Sequence, residues 1–170
     1  MEPKKVTHLM TGGILAGVLI LYSVILIVTD QLANQSLAWI SYVFMIGLLI
    51  YFIREFGQAN ENSKTFGELF SFGFKASAFA TIILLAFQIV FNLLFPETQD
   101  RIMEISREKM AEDPRVTEEQ IDMAMSFTKK FYLVFLIAGT IFSTLIFGAI
   151  GSLIGAAITK KNPSSPFQSQ

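Results

Sequence analysis

Residues 9–29 read LMTGGILAGVLILYSVILIVT, an apolar run of 21 residues without a charge. As an α-helix with a rise of about 1.5 Å per residue, this run would extend roughly 31 Å, which matches a bilayer hydrocarbon core of about 30 Å. Lys4 and Lys5 precede the run, as lysines precede the apolar region of a secretory signal peptide. That region is only about 7–15 residues long and ends at a small-x-small cleavage site, which is lacking here. The run therefore predicts a retained first membrane span.

Three further apolar segments follow, at residues 37–53, 74–95 and 131–159. The second has Trp39 near its start and Tyr51 near its end, which is the aromatic belt of a spanning helix. Pro96 closes the third, because proline cannot continue a helix without a kink or a fresh start. The fourth is long enough to require a tilt or an end outside the hydrocarbon. The chain is thus predicted to cross the membrane four times.

The composition supports a membrane protein, because 52% of the 170 residues are hydrophobic, only 16% are charged, and the mean hydropathy is +0.53. Nine of the 14 acidic and six of the 13 basic residues lie within residues 97–130. A charge left in hydrocarbon costs several kcal/mol, so a bilayer confines charges to such a segment. We predict an all-α fold, an integral membrane four-helix bundle that forms one membrane domain over residues 1–170.

The charged segment 97–130 has the pattern of two short helices. Pro114 marks a turn in its middle, and Thr117 with Gln120 forms a capping box that starts the second helix. Ile121 and Met125 then recur at helical spacing. These features predict an extramembrane helical hairpin between the third and fourth spans. The Pro/Ser-rich residues 162–170 are predicted to be a disordered tail.

Several kinds of chemistry are excluded by composition. A net charge of −1 provides no basic face for nucleic acid. The absence of cysteine excludes disulfides and thiolate metal sites, and the single histidine, His8, cannot form a two-histidine metal site. We therefore predict no enzymatic activity, no catalytic residues, no metal and no cofactor.

The distribution of basic residues predicts the orientation. Four spans place both termini and the second loop, with Arg54 and Lys64, on one side, whereas the first loop has no basic residue. By the positive-inside rule, both termini are cytoplasmic and the hairpin is on the outside. The six basic residues of the hairpin oppose this assignment. The lysines that flank the outer spans are Lys4, Lys5, Lys160 and Lys161.

Polar residues inside the spans define a candidate seam. Gln88 and Asn92 are four residues apart on the third span and so share one helix face. They could meet Thr140, Ser143 or Thr144 of the last span. Hydrogen bonding between the two helices is the favoured interpretation, and a transport pathway is the alternative.

Small residues in the first and last spans indicate close helix packing. Gly13 with Gly17, and Gly148 with Gly151 and Gly155, allow backbones to approach closely. These glycines could form a dimer seam, but we expect the two spans to pack on each other within one chain.

Charged and methionine residues complete the candidate sites. Lys75 lies near the start of the third span, where it could bind an anionic lipid headgroup or a substrate, pair with Glu68, or extend its ammonium to the interface, the outcome we expect. A methionine stripe on the hairpin could be a partner surface, since Met adapts to varied shapes. The favoured alternative is that the two hairpin helices turn these stripes towards each other. The stripe comprises Met103, Met110, Met123 and Met125.

The order of these features resembles a known family. Residues 65–74 read TFGELFSFGF at the entry to the third span, Pro96 and Glu97 follow it, residues 117–121 read TEEQI, and the small-residue last span ends in lysines. With the lysine-led first span, this order resembles the bacterial membrane-protein family catalogued as domain of unknown function 4199. The resemblance covers most of the chain and implies a Gram-negative inner membrane. It carries over no activity and no catalytic residues.

Three functions are compatible with the sequence. The first is a non-enzymatic scaffold or accessory subunit that uses the hairpin to contact a protein partner. The second is a small oligomeric transporter or channel with the polar seam as its path. The third, an enzyme, would have to use the hairpin carboxylates and is the least favoured. The bilayer is the one partner that all three share, and neither a substrate nor an oligomeric state can be read from these residues.

Overall fold

The computed structural model describes residues 6–31 and 34–160, and these fold into six helices without a strand. The predicted disordered tail 162–170 lies outside the described residues, as do Lys4, Lys5 and Lys161. The all-α prediction is confirmed. The helices are α1 (His8–Val28), α2 (Gln35–Ala59), α3 (Phe66–Leu94), α4 (Glu97–Ala111), α5 (Glu118–Lys130) and α6 (Tyr132–Ile158).

Four of these helices, α1, α2, α3 and α6, are long and apolar enough to cross a membrane. Their first turns are capped by side chains where the sequence provides one. The Thr7 hydroxyl accepts a hydrogen bond from the Met10 amide at 3.2 Å, and the Asn34 side chain accepts from the Ser36 amide at 3.1 Å. The described residues therefore contain four helices with the length and composition predicted for the spans.

The loop between α2 and α3 is shorter than the sequence indicates. Helix α2 continues to Ala59, and α3 begins at Phe66, eight residues before the predicted start of the apolar span. The early start has a local cause, a capping box. The Glu68 carboxylate accepts from the Thr65 amide at 2.9 Å, and the Thr65 hydroxyl accepts from the Glu68 amide.

The four spans are arranged as a ring in the order α1, α3, α6, α2. Helix α3 packs on α1 and α6, and α2 packs mainly on α6 and closes the ring against α1. The core between them is built of buried apolar side chains, whereas residues such as Leu21, Ile82 and Phe142 project outward, as expected for lipid contact. The core includes Leu15, Leu19, Met45, Leu49, Ile53, Leu69, Phe72, Ala76, Ala80 and Leu84.

The expected packing of the first span on the last is not found, because α1 and α6 lie diagonally across the ring. A Cβ placed at Gly13 or Gly17 would meet no atom within 4 Å, so these two glycines face away from the other helices. The glycine of α1 that makes a close approach is Gly12, against the backbone of α3. The sequence pattern identified small residues but not the helix face that is buried.

The glycines of α6 do lie at helix contacts, but their partners are α3 and α2. A Cβ at Gly148 would lie 2.5 Å from the Cβ of Ser77 on α3. A Cβ at Gly155 would lie 2.7 Å from Ile53 of α2, and one at Gly151 would lie 3.0 Å from Leu49. Helix α6 therefore uses its small-residue face to pack against two neighbours at once.

The predicted hairpin is formed by α4 and α5, which pack on each other. Their contact buries Met103 and Ile121, which are 9% and 2% exposed. Pro96 separates α4 from α3, and Phe131 separates α5 from α6. The fold prediction of a four-span bundle with a helical hairpin between the third and fourth spans is confirmed.

Candidate functional site

The polar seam brings two of its predicted residues together across α3 and α6. The Thr140 hydroxyl lies 2.8 Å from Oε1 of Gln88 and also 2.8 Å from the carbonyl oxygen of Leu136. The hydroxyl hydrogen of Thr140 is thus shared between an acceptor on α3 and an acceptor on α6. A hydrogen bond between two spans is what polar side chains in a membrane bundle commonly form.

The other seam residues bond to their own helices. The Asn92 amide donates to the Gln88 carbonyl at 2.9 Å, the Ser143 hydroxyl donates to the Gly139 carbonyl at 2.7 Å, and the Thr144 hydroxyl donates to the Thr140 carbonyl. The Asn92 Oδ1 atom is buried and accepts no hydrogen bond from the described residues. Most of the seam is therefore satisfied locally and is not continuous across the bundle.

A cavity of about 490 Å³, which we call the central cavity, borders this seam and is lined by residues of all four spans. Gln88, Thr140, Ser143 and Thr144 line it, together with polar side chains of the other two spans. The hydroxyls of Ser41 and Tyr42 form no hydrogen bond with a described residue, and Gln88 accepts through Oε1 and its carbonyl oxygen but donates to none through its amide nitrogen. The polar residues that sequence reasoning missed are Ser23, Ser41 and Tyr42.

The signal for these three residues was weak. Each is a single hydroxyl within an apolar span, and Ser23 already donates to the Leu19 carbonyl at 2.8 Å, as hydroxyls in membrane helices often do. Only the arrangement of the four spans in the structure shows that these residues line the same cavity as Gln88. The cavity can accommodate a small uncharged polar molecule or several waters, because it contains neutral donors and no ionised group.

The methionines of the hairpin are divided between two environments. Met103 is buried against α5, and Met110 and Met125 are half-buried. Met123 is 69% exposed and lies on the same outward side of α5 as Phe127, which is 56% exposed. The predicted stripe therefore does not form one continuous partner surface, and Met123 with Phe127 is its exposed part.

One exposed face of α4 carries a row of carboxylates, which we call the acidic row. Its members recur at spacings of three, four and four residues, so they share one helix face. All four are exposed, and none forms a salt bridge with a described residue. Together with Asp30 of the first loop and with Arg101 and Ile105 of α4, they line an open groove, so one cation lies among the carboxylates. The acidic row consists of Glu97, Asp100, Glu104 and Glu108.

Ion pairs hold the hairpin in place. Arg101 donates to Asp30, which ties α4 to the loop between α1 and α2. Arg107 donates to Asp122 at 2.7 Å and to Glu118 at 3.2 Å and so links α4 to α5. The hydrogen bond and charge of Asp122 raise the pKa of Arg107, which therefore remains a cation.

The turn of the hairpin has a local ion pair. Arg115 donates to both carboxylate oxygens of Asp113, at 2.9 and 2.7 Å, and its backbone amide donates to the same carboxylate at 3.0 Å. These hydrogen bonds lower the pKa of Asp113. The turn is thus held by a charged acceptor, in addition to the capping box at Thr117.

The interfacial charges Lys75 and Glu68 are not paired with each other. The Glu68 carboxylate accepts from the Lys64 ammonium at 2.8 Å, whereas Lys75 forms no salt bridge with a described residue. Both line a groove of about 720 Å³ at the end of the bundle where α1 and α3 begin. His8 of α1 lies in the same groove.

The described residues contain no group of three or more histidine, cysteine or acidic side chains that could hold a metal ion. The chemistry that the described side chains offer is therefore hydrogen bonding within the spans and charge on the two membrane faces.

A family model described as Protein of unknown function (DUF4199) matches residues 11–161. The match covers most of the chain and confirms the resemblance seen in the order of its motifs. No curated protein and no solved structure matches the chain. The chain belongs to the DUF4199 family.

Proposed function

We propose that this member of the DUF4199 family is a non-enzymatic scaffold or accessory subunit of a membrane assembly, and that its hairpin binds a protein partner. The observation that carries the proposal is that the hairpin has one face packed inside it and one charged face left exposed. The apolar side chains of Met103 and Ile121 are buried where α4 packs on α5. The acidic row is exposed and forms no salt bridge with the described residues.

The four like charges of the acidic row repel each other and weaken the helix that carries them. Arg101 lies on the same face but is paired with Asp30, so it offsets this repulsion only in part. From Glu97 to Glu108 the acidic row extends about 16 Å at roughly 1.5 Å per residue. A basic segment of a partner would offset this repulsion, and complementary charge would also direct the two surfaces towards each other. We therefore propose that the partner presents lysine or arginine side chains to α4.

The exposed pair Met123 and Phe127 offers a second, apolar patch on α5. An aromatic ring beside an adaptable methionine is a common anchor at protein interfaces. In this proposal the charged row sets the orientation of the partner, and the apolar pair contributes contact area.

Affinity purification from native membranes tests the scaffold function with a matched pair of variants. E104Q/E108Q neutralises half of the acidic row, and E118Q/E119Q neutralises two exposed acids of α5, outside the row. We expect the first variant to recover less partner, and the loss to resemble that caused by high salt. The proposal fails if removal of residues 99–129 leaves every co-purifying protein unchanged.

We also place both termini in the cytoplasm of a bacterial inner membrane, with the hairpin on the outside. The chain has no cysteine, so a single introduced cysteine reports its own location without background. A membrane-impermeant thiol reagent should label S126C on the hairpin in intact cells and should not label S63C in the second loop. The reverse labelling would invert the proposed orientation.

The second candidate is a small oligomeric transporter or channel, and the central cavity favours it. Ser41, Tyr42 and Gln88 line this cavity with donors that bond to no described residue, and a polar occupant would satisfy them. The local hydrogen bonding of Asn92, Ser143 and Thr144 argues against a continuous path.

Glycerol uptake into proteoliposomes, followed by stopped-flow light scattering, tests this candidate. Uptake should exceed that of empty vesicles and decrease with Q88M, whereas S126A, on the hairpin outside the cavity, should have no effect. Uptake equal to that of empty vesicles would rule out the proposal that the protein conducts small neutral solutes.

A further inference from the structure

The groove where α1 and α3 begin has the composition of a headgroup site. Its walls include Phe56 and Phe72, and its polar side chains include His8 and Lys75. It measures about 720 Å³, large enough for a phosphate group and the start of the chains attached to it. Neither the partner contact of the hairpin nor the central cavity uses this end of the bundle.

The depth of Lys75 in the membrane follows from the length of α3. At roughly 1.5 Å per residue, its 29 residues extend about 43 Å, which exceeds a hydrocarbon core of about 30 Å. The C-terminal end carries exposed Leu93 and Leu94, so the excess lies at the N-terminal end, where Thr65 and Glu68 cap the helix. Lys75 is nine residues from Phe66, or about 13 Å along the axis, which places its backbone at the edge of the hydrocarbon, from where its long side chain can reach the lipid phosphates.

Lys75 has no counter-ion among the described residues at that depth. The one carboxylate that lines the groove, Glu68, is engaged by Lys64 at 2.8 Å and by Thr65 at 2.9 Å. A cation next to hydrocarbon is costly unless an anion neutralises it. The anion available at the surface of a membrane is the phosphate of a phospholipid.

Backbone donors add to the positive character of the groove. Both α1 and α3 begin here, so the partial positive ends of two helix dipoles meet at one site. The amides of His8, Leu9 and Gly67 belong to the first turns and donate to no described acceptor, while Thr7 and Thr65 cap Met10 and Glu68. Free first-turn amides are suited to phosphate oxygens.

We propose that this groove binds the phosphate of an anionic phospholipid, with Lys75 as its counter-ion and the first-turn amides of α1 and α3 as hydrogen-bond donors. The acyl chains would leave along the apolar outer surfaces of the same two helices. The lipid would thereby hold α1 against α3 at the membrane face where these two helices begin.

Native mass spectrometry of the delipidated full chain in detergent tests the proposal, with phosphatidylglycerol and diacylglycerol as probes. Phosphatidylglycerol should be retained, and diacylglycerol, which lacks the phosphate, should not. K75Q should weaken the retention of phosphatidylglycerol roughly fivefold or more, since a lysine near the surface contributes about 1 kcal/mol. K75R should preserve it, and K160Q, which removes a cation of the same face outside the groove, should leave it unchanged.

A second pair of variants tests the backbone donors and does not depend on the folding of K75Q. H8A removes the imidazole, and H8P also removes the amide hydrogen at the first helical position, where proline is tolerated. Thr7 has φ −112° and ψ 152°, which is compatible with a following proline. H8P should retain less phosphatidylglycerol than H8A.

Four results would overturn the proposal. Equal retention of diacylglycerol would mean that the groove binds acyl chains and not phosphate. Displacement of phosphatidylglycerol by inorganic phosphate would identify a site for the free anion. An equal loss with K160Q would indicate diffuse surface attraction, and unchanged retention in both K75Q and H8P would exclude the groove.

Discussion

Gly12 of α1 lies directly against the carbonyl oxygen of Ala76 on α3, so that a Cβ at Gly12 would be only 2.5 Å from that oxygen. Backbone cannot move aside as a side chain can, and overpacking a tight contact typically costs about 1–3 kcal/mol. We expect G12A to lower the thermal unfolding temperature of the detergent-solubilised protein. G13A is the matched control, because a Cβ at Gly13 would meet nothing within 4 Å. Equal unfolding temperatures for the two variants would contradict the packing of α1 on α3.

The hydrogen bond between Thr140 and Gln88 predicts a measurable coupling between α6 and α3. T140V and Q88M remove one partner each at similar volume, and a double-mutant cycle isolates their interaction. The coupling free energy should be about 0.6 kcal/mol, the average for hydrogen bonds between membrane helices, since Thr140 also donates to its own helix. Unfolding in mixed detergent provides the four free energies. Strict additivity would show that the bond contributes nothing to the pairing of α3 with α6.

The two environments of the hairpin methionines predict opposite outcomes for the same substitution. M103A removes a side chain that is 9% exposed and leaves a cavity between α4 and α5, whereas M123A removes one that is 69% exposed. Buried Met→Ala substitutions cost about 2–5 kcal/mol, and exposed ones cost little. Hydrogen exchange of residues 97–130 should therefore accelerate in M103A and remain unchanged in M123A. Faster exchange in M123A alone would place the hairpin core on the other side of α5.

The four spans could be predicted because hydrocarbon excludes charge, so the apolar runs coincide with the membrane-crossing helices. The helix ends could not be predicted in the same way. Helix α2 continues through Arg54 and Glu55 to Ala59, because a helix can extend beyond the hydrocarbon into the polar interface, where charged residues are tolerated. At the start of α3 the signal was present as the spacing of Thr65 and Glu68, a capping box of the kind that correctly predicted the start of α5.

Which helices pack against each other could not be predicted from the sequence, for a geometric reason. Gly12 and Gly13 are one residue apart, which is about 100° around the helix, and only one of them faces α3. A small-residue pattern does not identify the helix that lies against it, so the packing of α6 on α2 and α3 could not be inferred. For the same reason Ser41 and Tyr42 could not be predicted as cavity residues, because the cavity that they line is formed together with the other three spans.

The ion pair of Asp113 with Arg115 predicts how the hairpin turn responds to acid. The hydrogen bonds from Arg115 lower the pKa of Asp113 in the folded turn below its value in the unfolded chain. The carboxylate therefore stabilises the turn at all pH values above the unfolded pKa, and this contribution is lost as the pH falls through the folded pKa. Order in the turn should persist into more acidic solution than an ordinary aspartate would allow.

Carbon-13 NMR of the Asp113 carboxyl group in detergent micelles measures this titration directly. R115Q should move the midpoint to higher pH, because it removes the positive charge and the two guanidinium hydrogen bonds while it leaves the backbone amide of residue 115 in place. R107Q is the control, since Arg107 pairs with Asp122 and Glu118 and forms no salt bridge with Asp113. An unchanged midpoint in R115Q would mean that the ion pair does not persist in solution, and the stability of the turn would then depend on the Thr117 capping box.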